Sequence, residues 1–317
     1  MKVLVTGGSS LLGATVANLL VTRGDEVTCF QRKHSGTHAT DHLGDITDAS
    51  SLLAAASGHE AVIHLAALVV PKAPWSRMQA VNIEGTRNAR SAAEQCGRFV
   101  HISSPSVAFH DVASVGEGAN APLYAGRDGY TRSKAIAEQE VLTGPRVPTV
   151  VIRPHLVWGP GDTQLIGRIV DRARSHRLAL PDHGRALVDT TYVDDAASAI
   201  VAALDVCHPG ADAVNHAWVV TGSEPRPLRD LVDSILHAAG VTERPRSVPA
   251  PLAAAAGRVL ERLWPGAEPP LTHFAARQLS VAHWFDQRET QRVLRWSPTV
   301  GLDEGFRRLA DWFAASS

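Results

Sequence analysis

The sequence predicts an α/β protein: a doubly wound parallel sheet followed by a smaller C-terminal lobe. Three observations carry this. Short continuous apolar runs alternate with helical apolar periodicity through residues 1–160. A glycine-rich turn separates the first such run from the first helical pattern. Beyond residue 160, prolines and irregular stretches replace the alternation. The expected division is residues 1–160 for the sheet domain and 161–317 mainly for a substrate-binding lobe. Segments near 186–220 are available to complete the sheet.

Residues 2–6 (KVLVT) read as a buried strand that stops at Gly7-Gly8. Leu11, Leu12, Val16, Leu19 and Leu20 then share one face of a helix ending at Arg23. Gly24 follows in the position that favours a left-handed residue. A second strand spans 26–30. The unit repeats as a strand over 61–66, a helix over 76–96 and a strand over 98–103, and again as a helix over 127–142 and a strand over 147–153. Buried parallel strands linked by helices make a doubly wound sheet. After Trp158-Gly159-Pro160-Gly161 a helix is expected over 165–176. Pro245, Pro249, Pro251, Pro265, Pro269 and Pro270 punctuate 241–272, a texture suited to a lobe that caps a substrate. Within it, 252–264 predicts a helix with an apolar face and two cations, Arg258 and Arg262. A packing helix of a lid is the favoured reading, with an interfacial membrane helix as the alternative.

Composition narrows the class. The chain has 317 residues, 44% hydrophobic and 20% charged, enough apolar material for a packed core. Lys+Arg 31 against Asp+Glu 32 leaves no basic excess for a nucleic-acid footprint. Cys29, Cys96 and Cys207 are far apart, which excludes a CxxC motif and fits a reducing compartment. No run approaches the roughly 18 apolar residues of a membrane span, and the start MKVLVTGG lacks the pattern of a secretory signal. A cytoplasmic globular protein is expected.

Thr6-Gly7-Gly8-Ser9-Ser10-Leu11-Leu12-Gly13 lies between the first strand and the first helix. That is the context of a dinucleotide fingerprint, in which a pyrophosphate rests on a helix N-terminus. Gly7 suits the tight turn and Gly13 the close packing of the helix. The segment resembles the TGGxGxxG pattern of the extended short-chain dehydrogenase/reductase family, with Ser10 where that family carries its middle glycine. The resemblance implies a Rossmann-type sheet and a nicotinamide cofactor held by Gly7, Ser9, Ser10, Leu11, Leu12 and Gly13. The second strand ends in Gln31-Arg32-Lys33, where NAD-preferring members place an acid for the ribose 2′-hydroxyl. Two cations there suit a 2′-phosphate, so NADP(H) is expected over NAD(H). The same resemblance adds Asp45 and Ile46 near the adenine. It adds Leu65, Ala66 and Ala67 beneath the ribose, Asn82 on the following helix, and Ser103, Pro154 and Leu156.

Tyr130 and Lys134 form a YxxxK element, which puts phenol and ammonium on one helix face. A lysine there is expected to lower the tyrosine pKa. Ser104, after the strand over 98–103, matches the family's catalytic serine. The resemblance implies that Ser104 polarises a substrate carbonyl, Tyr130 exchanges its proton, and Lys134 holds the nicotinamide ribose. The segment Arg153-Pro154-His155-Leu156-Val157-Trp158-Gly159-Pro160-Gly161-Asp162 resembles the 3β-hydroxysteroid dehydrogenase branch. That branch includes 2-alkyl-3-oxoalkanoate reductases. Ser106, His155 and Trp158 are the residues it suggests beside the substrate.

Other signals are discounted. His34, His38 and His42 have helical metal-ligand spacing, but a loop is expected there and no carboxylate completes a site. No metal is expected. Asp194-Asp195 open a predicted helix, where the dipole accounts for them. Cys96 has no paired histidine and is not a nucleophile.

The expected function is an NADPH-dependent reductase of a hydrophobic β-keto compound, best a 2-alkyl-3-oxoalkanoate. The alternatives are a sterol dehydrogenase, a nucleotide-sugar epimerase or dehydratase, and a non-catalytic NADP(H)-sensing protein. Relatives in the family commonly pair through the helices near 76–96 and 127–142, so a homodimer is expected.

Overall fold

Strand β1 (Lys2–Thr6) lies in the middle of a seven-stranded parallel sheet. Its side chains alternate between the two faces. Val3 and Val5 enter one core and Leu4 the other, and all three are fully buried. The computed structural model describes residues 1–316 except 71, 119–122, 125–127, 145, 267 and 268. The remaining strands are β2 (Glu26–Gln31), β3 (Thr40–Leu43), β4 (Ala61–His64), β5 (Phe99–Ile102), β6 (Thr149–Pro154) and β7 (His216–Val220). Their order across the sheet is β7-β6-β5-β4-β1-β2-β3. Chain order reverses between β1 and β4, and the crevice beyond their C-terminal ends is where such sheets take ligands.

The helices on the sheet are α1 (Leu11–Arg23), α2 (Ala49–Ala56), α3 over 75–93, α4 (Gly129–Leu142) and α5 (Val193–Asp205). Val16 and Leu20 of α1 meet Ile200 and Leu204 of α5 on one face. Leu52 of α2 and Ala89 of α3 join Phe30, Phe99 and Val141 on the other. Helix α4 is tied to the sheet by a buried ion pair, Arg153 Nη2 to Glu138 Oε1 at 2.5 Å. Asp194 and Asp195 do open α5. Asp195 Oδ1 accepts from Thr299 N and Oδ2 from Val300 N, so it also anchors the C-terminal segment.

Three local readings change. Residues 40–43 form a strand where a loop was expected. It is a polar edge strand, TDHL, with no apolar run to announce it. The helix over 75–93 contains a π-helical stretch, Gln79–Glu84, around Asn82. The helix expected over 127–142 is described from Gly129, residue 127 lying outside the described residues.

A second group of elements builds the lobe, while Val293, Leu294 and Trp296 near the C-terminus return to the core of the main sheet. Arg226–Pro227, Leu187–Val188, His283–Phe285 and Ser114–Glu117 form a second, four-stranded sheet. Trp158, Ile166, Val170, Leu231, Ile235 and Leu309 make its core. Helix Ala250–Leu263 packs on His273–Leu279 through Ala253, Ala254 and Ala276. Gly257 permits the approach, since a Cβ there would lie 2.8 Å from the backbone of Thr272 and His273. Among the described residues no helix is long and apolar enough to cross a membrane.

Candidate active site

The glycine turn after β1 leaves no room for side chains. Gly7 sits at φ +81°, and a Cβ there would approach Ala66 N to 2.8 Å. A Cβ on Gly8 would meet Cys29 Sγ at 2.6 Å, and one on Gly13 would meet Gly7 O at 2.2 Å. Ser10 is the N-cap of α1, at φ −79°, a conformation that needs no glycine. Its Oγ accepts from Gly13 N (3.1 Å) and donates to Gly7 O (2.9 Å). The serine therefore replaces the family's middle glycine with a cap that closes the turn on itself. The N–H groups of Leu11 and Leu12 lie in the first helical turn, where no intrahelical carbonyl reaches them.

Around the turn, Gln31 ends β2 and is buried. Its Nε2 donates to Asp41 Oδ1 at 3.4 Å, and its Oε1 is buried without a partner. Arg32 and Lys33 are exposed, and among the described residues neither forms an ion pair. Asp45 accepts from Thr47 N and Oγ1, and Ile46 is buried against Gly85. Leu65 N and Ala66 N donate to Thr6 O and Thr6 Oγ1, which keeps 65–67 beside the glycine turn.

Asn82, 1% exposed, is spent on the chain itself. Its Oδ1 accepts from Leu68 N (2.7 Å), and its Nδ2 donates to Leu68 O (3.1 Å) and to Ser133 Oγ (2.9 Å). Ser133 Oγ in turn donates to Tyr130 O. Asn82 thus joins the loop after β4 to the helix that carries Tyr130 and Lys134.

Asp128 caps α4 by accepting from Thr131 N at 2.8 Å. Tyr130 is half-buried in the first turn. Lys134, one turn on, is 3% exposed and donates to Ile102 O at 2.6 Å, two residues before Ser104. The short helix Pro105–Ala108 packs against α4. Ser104 caps it, accepting from Ser106 N (3.3 Å) and from Ser106 Oγ (2.9 Å). Both contacts use Ser104 as acceptor, so its own O–H stays available to donate. Ser103 is buried with its Oγ unpartnered.

The electrostatics correct one expectation. Lys134 does not dominate Tyr130. Burial pushes the phenol up to about 12, and the nearby Asp128 carboxylate adds to the rise. Burial also pushes Lys134 down to about 8, against the attraction of Glu138. The phenol is therefore fully protonated at neutral pH, the form in which it donates a proton.

Pro154 ends β6, and Leu156 follows at φ +42°, rare for a branched side chain. Hydrogen bonds on both sides hold it there, His155 N to Val220 O and Thr191 N to Leu156 O. His155 and Trp158 were expected beside the substrate, and both are interior. His155 Nε2 lies 2.8 Å from His283 Nδ1, against Phe285. Trp158 stacks on Phe306 and its indole N–H donates to Thr190 Oγ1. Both fill the lobe because they sit between its sheet and its helices.

A cavity of about 1080 Å³ opens beside the start of α4. Its walls include Phe109, Tyr124, Asp128, Ala254, Arg258 and Phe274. Sequence reasoning missed these residues as a group. Arg258 was visible only as a cation on a helix, and nothing in its spacing tied it to Phe109.

The model of the NAD dependent epimerase/dehydratase family matches residues 3–220. The chain is similar to the 2-alkyl-3-oxoalkanoate reductase of Stenotrophomonas maltophilia, with 38% identity over 98% of each protein. It is 32% identical to a 2-alkyl-3-oxoalkanoate reductase of Shewanella oneidensis, over 96% of this chain and 84% of the relative. Among solved structures it resembles the UDP-glucose 4-epimerase of Thermotoga maritima, with a TM-score of 0.79 and 19% identity, covering 100% of this chain and 99% of the other. That likeness concerns the fold alone.

Proposed function

The chain belongs to the NAD-dependent epimerase/dehydratase family, and from that premise we propose that it is an NADPH-dependent ketoreductase of 2-alkyl-3-oxoalkanoates. It is an NAD(P)-dependent oxidoreductase by its family and its relatives. The observation that carries the substrate class is the end-to-end likeness to 2-alkyl-3-oxoalkanoate reductase. The cavity agrees in character. Phe109, Phe274, Ala254 and Ala255 suit alkyl chains, and Arg258 and Arg277 suit a carboxylate.

The residues fit a nicotinamide dinucleotide. Gly7, Gly8 and Gly13 let the turn pack directly on Ala66, Cys29 and the start of α1, which sets the first-turn N–H groups at the turn, and the orphaned Gln31 Oε1 and Ser103 Oγ are polar groups in need of partners. Gln31 in place of an acid, followed by the exposed Arg32 and Lys33, favours a 2′-phosphate. When bound, the nicotinamide supplies the hydride. Ser104 would donate its free O–H to the ketone oxygen and polarise it. Tyr130 would give the same oxygen its proton, which burial holds on the phenol at neutral pH. Lys134, fixed on Ile102 O, would bind the nicotinamide ribose and supply positive charge beneath the phenolate left behind. A homodimer through α3 and α4 and a cytoplasmic location complete the proposal. Light scattering at dimer mass supports the first, and monomer mass refutes it.

Tyr130→Phe tests the chemistry. It should lower NADPH-dependent turnover roughly 10²–10⁴-fold with cofactor affinity unchanged. Undiminished turnover would remove Tyr130 from the mechanism. A protein with no turnover at all, whose NADPH binding alters only a partner interaction, would be the sensor instead.

A further inference from the structure

Helix Ala250–Leu263 does two things on two sides. One side walls the cavity through Pro251, Ala254, Ala255, Arg258 and Glu261. Another faces away from the protein. Leu252, Ala256, Val259 and Leu263 fall at spacings of four, three and four, so they align in one stripe. Leu263 at 73% and Leu252 at 61% are the most exposed large apolar side chains among the described residues, and Val259 is 55% exposed. Single exposed apolar residues are ordinary, but an aligned stripe on one helix is not.

Cations border the stripe on one flank and at one end. Arg262 is exposed beside it and Arg258, also exposed, lies at the cavity rim; among the described residues neither forms an ion pair. Trp264, at the helix end, is also exposed, and its carbonyl accepts from Lys72 Nζ at 2.6 Å, which brings a third cation to that end. The helix's one acid, Glu261, lines the cavity, as Arg258 does, so Arg262 and Lys72 are the cations outside it. Over the whole chain the charge is nearly balanced, at −1. The cations beside the stripe are therefore a local arrangement. Leucines in a stripe, flanking Arg and Lys, and a terminal Trp are the pattern of a helix lying in the interface of an anionic bilayer.

We propose that the outward face of helix Ala250–Leu263 docks this protein on an anionic lipid surface, with the substrate cavity opening along the same helix. The link to the cavity rests on reading the substrate as lipid-like. The docking itself does not, because it needs neither substrate nor turnover.

The test is flotation of the full chain with vesicles of phosphatidylcholine, with and without phosphatidylglycerol. The protein should float with phosphatidylglycerol vesicles and should be released as salt rises. Leu252→Glu combined with Leu263→Glu should weaken binding roughly a hundredfold. Both side chains are exposed, so the melting temperature should hold, as should turnover of a short soluble keto acid. Failure of the native protein to float overturns the proposal. So does equal flotation of the double variant. Loss of a dimer in the double variant, with no flotation of the native protein, would assign the face to a second copy and also overturns it. Vesicle binding without keto-acid turnover would sink the substrate reading alone.

Discussion

Gly13→Ala should damage stability and cofactor binding together. The new Cβ would sit 2.2 Å from Gly7 O and 2.9 Å from Ser10 Oγ. The first distance is more than an ångström short of ordinary contact, and its partner is backbone, which cannot rotate away. The start of α1 must back off from the turn, which also breaks the Ser10 cap at Gly13 N. Overpacking of this kind costs about 1–3 kcal/mol. In a domain of this size that lowers the melting temperature by roughly 2–12 °C. The same retreat pulls the first-turn N–H groups from the proposed pyrophosphate site, so NADPH affinity should fall about tenfold or more. Gly24→Ala is the control. Gly24 ends α1 at φ +93° with open space around it. It should lose about 1 kcal/mol through backbone strain and leave NADPH affinity alone. Thermal unfolding and NADPH fluorescence titration measure both quantities. A Gly13→Ala protein that binds NADPH as tightly as the native one would refute the pyrophosphate site.

The remaining predictions concern charge. Burial lowers four histidine pKa values: His64 to about 3, His283 to about 4, and His101 and His155 well below the ordinary value. The unfolded chain takes up these protons first. Stability is therefore complete above about pH 6.5 and falls as pH drops, by up to about 1.4 kcal/mol per pH unit for each histidine. Both His101 ring nitrogens lack partners, so His101→Phe should be near neutral at pH 7 and flatten the acid limb by one histidine's share; an unchanged slope in acid unfolding would contradict this. Glu138→Ala strips the buried Arg153 of its carboxylate and should cost about 3–5 kcal/mol in denaturant unfolding; a loss under 1 kcal/mol would show the pair to be unimportant. Arg32→Asp should move cofactor preference from NADPH toward NADH in paired KM measurements, and unchanged ratios would remove the 2′-phosphate argument.

Much of the cofactor half was legible because its signals are local. The strand over 2–6, the turn at Gly7 and the cap at Gly24 each follow from a few neighbouring residues. Edge strand β3 escaped because half its pairing partners are solvent, so TDHL needs no apolar run. Strand β7 falls within the 186–220 stretch available to complete the sheet, but much of the lobe separates it from β6, so its bounds and partner come only from the register Trp218↔Ile152. Trp158 and His155 misled for a related reason. They follow strand β6 directly in sequence, but they turn into a core formed with Phe306 and His283, far along the chain. Ser10 shows the opposite case. In sequence it is only a departure from a glycine pattern, and its φ and its hydroxyl make it a helix cap. The tyrosine pKa could not be read from YxxxK, because spacing gives proximity to Lys134 and says nothing of burial.

The central claim is reduction of a hydrophobic β-keto acid with NADPH, and one measurement addresses it most directly. Purified protein is given NADPH and, in parallel, a 2-alkyl-3-oxoalkanoate, a 3-oxosteroid and a UDP-sugar, with NADPH oxidation followed by absorbance. Rapid oxidation with the 2-alkyl-3-oxoalkanoate and formation of its 3-hydroxy acid are expected. Oxidation driven only by the steroid, or epimerisation of the sugar with no net NADPH loss, would contradict it.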